Sequence, residues 1–197
     1  IYIRPESWDK PFEAPEHVCS SYDNCHVPWG STHEKTWHLV KTLPHVSGLF
    51  VWTGFDYLGE PTPYWWPSRS SFFGIVDLAG FPKDVYYMYK SEWTDEPVLH
   101  IFPHWNWKVG EPVDIWAYYN NADEVELYLN GKSLGVQQKT DSTYHVSWRV
   151  PFTPGTLRAV SRLGGKEVLV KEIHTAGEPA RLVLTPDPVS YTHLRAH

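Results

Sequence analysis

Cysteine is scarce in this chain of 197 residues, and long hydrophobic runs are missing altogether. Cys19 and Cys25 are too few for a disulfide scaffold, and no cysteine–histidine spacing typical of a zinc site surrounds them. Whether Cys19 and Cys25 form a disulfide bond with each other stays open. No apolar run approaches the ~18–20 residues that span a bilayer, so we expect no transmembrane segment. The 23 acidic and 17 basic residues give a net charge of −6, which argues against a nucleic-acid-binding protein, because such proteins present a basic face.

Several motifs of well-known enzymes are missing as well. The sequence contains no G-x-S-x-G nucleophile elbow, no phosphate-binding loop and no dinucleotide fingerprint. The 11 histidines are scattered, and no pair has the helical spacing, with a glutamate beside it, that zinc proteases use. We therefore expect neither a cofactor nor a metal site.

Aromatic residues, in contrast, are abundant and unevenly placed. Tryptophan, tyrosine and phenylalanine make up 16% of the chain. Nine of the 11 tryptophans lie at or before Trp107, which predicts two regions with different roles. Indole rings pack against sugar faces, but they also fill cores and interfaces, and for any single tryptophan the second role is the commoner one.

Two helices and one buried strand are predicted in the N-terminal half. Ser31 and Glu34 form a capping box that begins a helix over residues 32–43. The apolar run at residues 48–55, flanked by glycines, is typical of a strand buried on both faces. A long loop at residues 56–81 precedes the second helix. Helix, buried strand, loop and helix together form the closing unit of a β/α architecture.

The hydrophobic period changes to two near residue 97, as expected for strands. Asn130-Gly131 and Gly164-Gly165 are hairpin signals between alternating segments. Strands about ten residues apart, with turn residues between them, indicate an antiparallel β-sandwich. We place this sandwich at residues 97–176. The predicted fold class is therefore α/β plus all-β.

Two carboxylates just after the predicted buried strand are the candidate functional groups. A retaining glycoside hydrolase needs two carboxylic acids ~5–5.5 Å apart. Asp56 and Glu60 lie in the right region, but neither has an identifiable partner at the end of its own barrel strand. We therefore interpret them as groups that orient a loop or hold a substrate hydroxyl, rather than as the acid or the nucleophile.

Long ungapped runs of this sequence resemble bacterial β-galactosidases of glycoside hydrolase family 2. The run SGLFVWTGFDYLGEPTPY at residues 47–64 is similar to the last barrel strand and its loop, and SSFFGIVDLAGFPKD at residues 70–84 continues the similarity. The run YYNNADEVEL at residues 118–127 resembles the sandwich domain that follows the barrel. The resemblance covers essentially residues 1–188.

The resemblance implies the C-terminal portion of a (β/α)8 barrel followed by an immunoglobulin-like antiparallel β-sandwich. Residues 1–96 would belong to the barrel and residues 97–176 to the sandwich. Residues 177–188 would form a linker and the start of a further β domain. Residues 189–197 resemble a translated sequencing adapter, so we interpret them as an artefact and exclude them from fold reasoning.

The resemblance also implies a glycosidase that retains configuration through a covalent glycosyl-enzyme and cleaves terminal β-D-galactosides. The two catalytic glutamates of the family match no position here, and we expect both upstream of Ile1. The chain alone is therefore expected to be inactive, with no catalytic residue of its own. The expected partner is a carbohydrate substrate. A homo-oligomeric full-length protein, and a periplasmic or secreted bacterial one, are alternatives that the sequence leaves open.

The implied substrate-binding residues lie on and after the predicted strand. Trp52 matches the aromatic platform under the −1 sugar, and in the family the peptide bond after this residue is often cis. Asp56 and Glu60 would hydrogen-bond sugar hydroxyls or fix the loop, and Trp65 and Arg69 complete the predicted set. The loop lacks the Asn-x-Lys pair of glucuronide-cleaving members, which favours a neutral β-galactoside, although Arg69 leaves an anionic sugar open.

A second interpretation makes the sandwich the functional part, as a carbohydrate-binding or structural module without catalysis. Trp116, Tyr118 and Tyr128 would then form an exposed aromatic row. We favour the alternative that these rings pack against the barrel or a neighbouring domain. We also expect apolar barrel surface to be exposed on the first ~90 residues.

Overall fold

Two helices and seven strands lie within the described part of the chain. A computed structural model describes residues 20–24, 26, 30–61 and 66–183. The helices are α1 (His33–Thr42) and α2 (Asp84–Trp93). The strands are β1 (Leu99–Phe102), β2 (Pro112–Tyr119), β3 (Glu124–Leu129), β4 (Lys132–Gln137), β5 (Val146–Pro151), β6 (Thr156–Leu163) and β7 (Lys166–His174). Across these ranges, no helix is both long enough and apolar enough to cross a membrane.

The seven strands form two antiparallel sheets that pack as a β-sandwich. One sheet has the order β1-β2-β5 and the other β4-β3-β6-β7. Alternate residues of each strand point inward, and Ile115, Leu127 and Leu157 are fully buried between the sheets together with Trp105. Burial of one face of each sheet is what holds such a sandwich together. The predicted α/β plus all-β fold class, with its immunoglobulin-like sandwich, is confirmed.

Tight turns fix the register of the four-stranded sheet at both predicted hairpins. Asn130 and Gly131 join β3 to β4 with φ of 51° and 81°, and Gly164 and Gly165 join β6 to β7 with φ of 56° and 78°. Two successive positive φ angles define the turn whose twist matches that of the flanking strands. Asparagine and glycine tolerate this backbone, which is why the hairpin prediction succeeds.

Helix α1 begins one residue later than predicted. The N-cap is Thr32 rather than Ser31, and the Thr32 hydroxyl accepts a backbone N–H of the first turn. The Asp23 carboxylate accepts the backbone N–H groups of His33 at 2.9 Å and Glu34 at 2.6 Å. Because Asp23 arrives from the preceding loop to satisfy these two donors, the helix does not need the capping box. Burial raises the pKa of the Asp23 carboxyl, although His33 and the two N–H donors oppose the shift.

Helix α2 confirms the second predicted helix and packs on the outer face of the three-stranded sheet. Met88 and Tyr89 of α2 are buried together with Tyr22 against that face. Trp116 and Tyr118 of β2 lie in the same cluster, and Trp116 is only 3% exposed. These two rings therefore cannot belong to an exposed aromatic row. The row interpretation is wrong for them, and the alternative that they pack against the N-terminal part is confirmed.

Glu92 joins both helices to the sandwich. Its carboxylate accepts hydrogen bonds from Trp37 Nε1 and Lys41 Nζ, both at 2.9 Å, and lies 3.3 Å from Lys139 Nζ of the β4–β5 loop. The Glu92 side chain is 7% exposed. Burial alone would raise the pKa of Glu92, but the two hydrogen bonds and the charge of Lys139 hold that pKa below its ordinary value.

We expect Glu92→Gln to lower the free energy of unfolding by about 2 kcal/mol at neutral pH, since it weakens buried charge-assisted hydrogen bonds. A carboxyl whose pKa is depressed in the folded state stabilises the fold above its unfolded pKa of ~4.3. That stabilisation is lost as the pH falls through the folded pKa. The difference between variant and wild type should therefore shrink in acid, as measured by urea denaturation at several pH values.

Glu96→Gln provides the matched control for this prediction. Glu96 also pairs with a lysine, Lys90, at 2.7 Å, but its side chain is 71% exposed. Exposed ion pairs contribute about 0–1 kcal/mol, so this control should be close to wild type at every pH. A Glu92→Gln difference that stayed constant from neutral to acidic pH would contradict the role assigned to Glu92.

Candidate active site

The apolar run at residues 48–55 is extended, but it is not a β-strand, so the prediction of a buried strand is wrong. One edge pairs with residues 73–76, where the Ile75 N–H donates to the Thr53 carbonyl at 3.0 Å. In the part of the chain that the structure describes, no segment pairs with the opposite edge, and Phe50 is fully exposed. A strand buried on both faces needs neighbours on both sides, and the described residues supply only one.

Trp52 presents its indole ring to solvent in the middle of this run. The side chain is 73% exposed, and the peptide bond after it is cis, which confirms the expectation for this bond. The indole meets the ring of Tyr57 edge to face, with the centroids 6.3 Å apart, and Tyr57 meets Phe73 at 6.0 Å. A flat exposed ring supported by two others is able to stack on the face of a sugar.

The Asp56 side chain is buried, and both of its oxygens are occupied by groups of the loop and of the start of α2. One oxygen accepts the Gly74 N–H at 2.8 Å and lies 3.4 Å from the Ser71 hydroxyl, and the other pairs with Lys83 Nζ at 2.6 Å. A Cβ at Gly74 would overlap the backbone of Asp56, so only glycine permits this approach. Of the two roles expected for Asp56, the geometry favours fixing the loop.

Glu60 is exposed and held by a neighbouring tyrosine. The Tyr57 hydroxyl donates a hydrogen bond to the Glu60 carboxylate, and this bond raises the pKa of Tyr57 above its usual range. Glu60 itself has a positive φ of 45°, which is uncommon for a residue other than glycine. Sequence reasoning missed Tyr57, for which the available signal was its position between two predicted site residues, Trp52 and Glu60, rather than any periodicity.

Arg69 lies on the returning side of the same loop. Its guanidinium covers the ring of Trp66, with Cζ 4.5 Å from the ring centroid, a favourable cation–π distance. Its carbonyl accepts the Gly59 N–H at 2.7 Å, which joins the two sides of the loop. Trp65 lies outside the described residues, and its part in the site stays a prediction.

Several large apolar side chains on and beside this loop are exposed, as the sequence predicted. The side chains that share high exposure are Phe50, Trp52, Phe55, Leu58, Trp66 and Phe81. Exposed apolar surface of this extent on a folded chain marks a site of contact with other protein or with ligand. Among the residues that the structure describes, no group of three histidine, cysteine, aspartate or glutamate side chains could hold a metal ion.

Known proteins with similar sequences are glycosidases. Residues 110–169 match DUF4982, a domain of unknown function. Over 95% of its length the chain is 62% identical to β-galactosidase BoGH2A of Bacteroides ovatus, of which it covers 22%. Over 72% of its length it is 30% identical to a β-glucuronidase of Bacteroides fragilis, of which it covers 21%.

Solved structures that resemble this chain are also glycosidases. A β-glycosidase from Bacteroides vulgatus has a TM-score of 0.74 and 39% identity, over 82% of this chain and 20% of that one. A family 2 glycosyl hydrolase from Bacteroides cellulosilyticus has a TM-score of 0.64 and 31% identity, over 74% of this chain and 24% of that one.

The relatives and solved structures named above carry names of glycosidases or glycosyl hydrolases. The chain spans about a fifth of the length of the curated relatives it matches. Over that part, it is similar to a solved member of glycoside hydrolase family 2.

Proposed function

We propose that this chain is part of a retaining β-galactosidase and supplies the aromatic platform for the terminal sugar. The observation that carries the proposal is the exposed indole of Trp52, which lies within the family-like run at residues 47–64 and is supported by Tyr57 and Phe73. Stacking on this ring would orient the sugar at the reacting carbon. The β-galactosidase of Bacteroides ovatus is the relative that suggests the substrate.

The open edge at residues 48–55 supports the assignment of residues 1–96 to the end of a (β/α)8 barrel. In such a barrel every strand has a neighbour on each side. One edge of the run is paired and the other is free among the described segments, and the exposed apolar side chains lie around it. We infer that another strand of the intact protein pairs there and covers that face.

We infer a supporting role for the sandwich at residues 97–176. Its three-stranded sheet buries Trp116 and Tyr118 against α2 rather than presenting them to a ligand. Residues 177–188 would link it to a further β domain. The sandwich then serves the platform by fixing the position of helix α2.

A neutral galactoside fits the charges of the loop best. Lys83 is neutralised by Asp56 at 2.6 Å, which leaves Arg69 as the cation on the loop that could meet a carboxylate. The guanidinium of Arg69 lies over the Trp66 ring, so a carboxylate would meet one cation there. A glucuronide, the substrate class that the name of another relative carries, would not find on this loop the paired amide and ammonium donors of an Asn-x-Lys pair.

We infer that the two catalytic carboxylic acids come from elsewhere in the intact protein. The Asp56 carboxylate is ion-paired with Lys83 and accepts the Gly74 N–H, and the Glu60 carboxylate accepts a hydrogen bond from Tyr57. Neither is free to attack an anomeric carbon or to protonate a leaving group. The proposed contribution of this chain is therefore binding and orientation.

We expect the intact protein to hydrolyse a nitrophenyl β-galactoside and the isolated 197-residue chain to show no turnover. The corresponding β-glucuronide, assayed beside it, should react more slowly with the intact protein. Both rates are read from release of nitrophenolate. Turnover by the pure chain would overturn the proposed absence of catalytic acids, and a preference for the glucuronide would overturn the neutral substrate.

A further inference from the structure

We propose a second carbohydrate-binding site on the outer face of the four-stranded sheet, a function that goes beyond the platform at Trp52 and does not depend on it. An open cavity of about 390 Å³ lies there. This volume is within the range of ~300–1,000 Å³ typical of small-molecule sites. The cavity is lined by Tyr128, Asn130, Gly131, Thr156, Arg158 and Glu172.

Three of these side chains form a row across adjacent strands. Tyr128 of β3 lies opposite Arg158 of β6, and Arg158 lies opposite Glu172 of β7. Residues directly opposite each other in antiparallel strands project from the same face. The Arg158 Cζ is 5.9 Å from the Tyr128 ring centroid, and Arg158 Nε is 3.4 Å from a Glu172 oxygen. An aromatic ring, a cation and a carboxylate therefore converge on one cavity.

The Tyr128 ring is held in place by its hydroxyl. The hydroxyl donates to the Glu126 carboxylate and accepts from Arg162 Nη2 at 3.0 Å. Arg162 Nη1 also binds Glu126 at 2.7 Å, and the Ser133 hydroxyl binds the other Glu126 oxygen at 2.6 Å. With its hydroxyl engaged, Tyr128 offers the ring rather than a polar group to a ligand, and the ring is ordered before any ligand arrives.

One wall of the cavity is equally fixed. The Asn130 side chain accepts the Thr156 N–H at 2.9 Å and donates to the Pro154 carbonyl at 3.1 Å. A Cβ on Gly155 would overlap the Asn130 side chain, and Gly155 has a φ of 140°. Glycine at this position therefore lets the β3–β4 turn dock on the β5–β6 turn, which gives the cavity a rigid end.

The charges in the cavity favour a neutral ligand with several hydroxyl groups. Arg158 lies 3.4 Å from Glu172 and 3.7 Å from Glu167. In the described part of the chain its guanidinium forms ion pairs but no close hydrogen bond, so its N–H donors remain available. Sugar hydroxyls both donate and accept, and they can bind the guanidinium and the carboxylate together. A polyanion, in contrast, would meet these carboxylates on a chain with a net charge of −6.

The test is a titration of the isotope-labelled 197-residue chain with D-galactose, followed by amide chemical shifts. We expect saturable shifts at Gly131 and Arg158 with a Kd in the millimolar range, and weaker binding of D-glucuronate. Arg158→Gln should weaken D-galactose binding about tenfold, since it removes charged hydrogen-bond donors. Glu172→Gln should weaken D-galactose binding and strengthen D-glucuronate binding, because it releases Arg158 from its carboxylate.

Arg149→Gln is the matched control, because Arg149 is an exposed arginine paired with Asp114 on the other sheet. It should bind D-galactose like the wild type. The proposal is overturned if D-galactose produces no saturable shift at the cavity, if Arg158→Gln binds like the control, or if D-glucuronate binds the wild type more tightly than D-galactose. Because the readout is binding by the chain itself, failure here leaves the proposed glycosidase function untouched.

Discussion

Replacing Trp52 with alanine in the intact enzyme should lower kcat/KM for a β-galactoside by about a hundredfold or more. Loss of the indole removes the surface on which the sugar would stack, and a sugar misplaced by about 1 Å can cost a factor of about 100 in rate. Trp52→Phe keeps a flat ring and should retain part of the activity. Steady-state kinetics with a nitrophenyl β-galactoside measures the effect.

Trp66→Ala is the natural control, because Trp66 lies on the loop that follows the run at residues 48–55 and, like Trp52, is 73% exposed. We expect it to lower kcat/KM less than about tenfold, a loss of no more than ~1.4 kcal/mol in transition-state stabilisation. Because both indoles are exposed, neither substitution should shift the thermal midpoint of the 197-residue chain appreciably. Equal losses of activity in the two variants would show that Trp52 is not the platform.

Replacing Trp105 with alanine should reduce the free energy of unfolding of the sandwich by about 3–5 kcal/mol, the cost of large-to-small changes of buried aromatics. Trp105 is fully buried between the sheets and meets Phe152 edge to face at 5.0 Å. Its Nε1 donates to the Thr153 carbonyl at 3.0 Å. The substitution leaves both a cavity and an unpaired carbonyl. Urea denaturation of the 197-residue chain measures the loss.

Trp107→Ala separates burial from the mere loss of an indole. Trp107 lies two residues away and is partly exposed, and its ring stacks on His104 at 4.8 Å. Its Nε1 also donates to a backbone carbonyl, that of His104, at 2.8 Å. We expect a loss of about 1 kcal/mol, since this ring is only partly buried, against the outside of the core. Similar losses for the two variants would contradict the central place of Trp105 in the core.

The sandwich was predictable because its determinants are local. Alternation along β2 and the paired turn residues at Asn130-Gly131 and Gly164-Gly165 specify strands and hairpins without knowledge of distant contacts. Helix α2 was predictable for the same reason, since its apolar residues recur with the helical period. The start of α1 was missed by one residue because Asp23, which lies outside the helix, caps it.

The site was less predictable because its contacts depend on neighbours distant in sequence. Residues 48–55 read as a buried strand, yet a strand forms only where partners are present, and the described chain supplies one edge. Nothing in the residue pattern indicated that Lys83 would neutralise Asp56. Tyr57 was missed because a single tyrosine in a loop carries no periodic signal. Trp52 was found through the resemblance to a family. The amino-acid composition and the residue spacing were equally compatible with a tryptophan in the core.

The ion pair between Lys83 and Asp56 has a mechanical consequence. Lys83 is the N-cap of α2, and α2 packs on β2 of the sandwich. Asp56, at the other end of the pair, follows the extended run that carries Trp52. The position of the indole therefore depends on the sandwich through three successive contacts: β2 with α2, Lys83 with Asp56, and Asp56 with the run that carries Trp52. The sandwich is not part of the loop, yet its packing bears on where the indole ring lies.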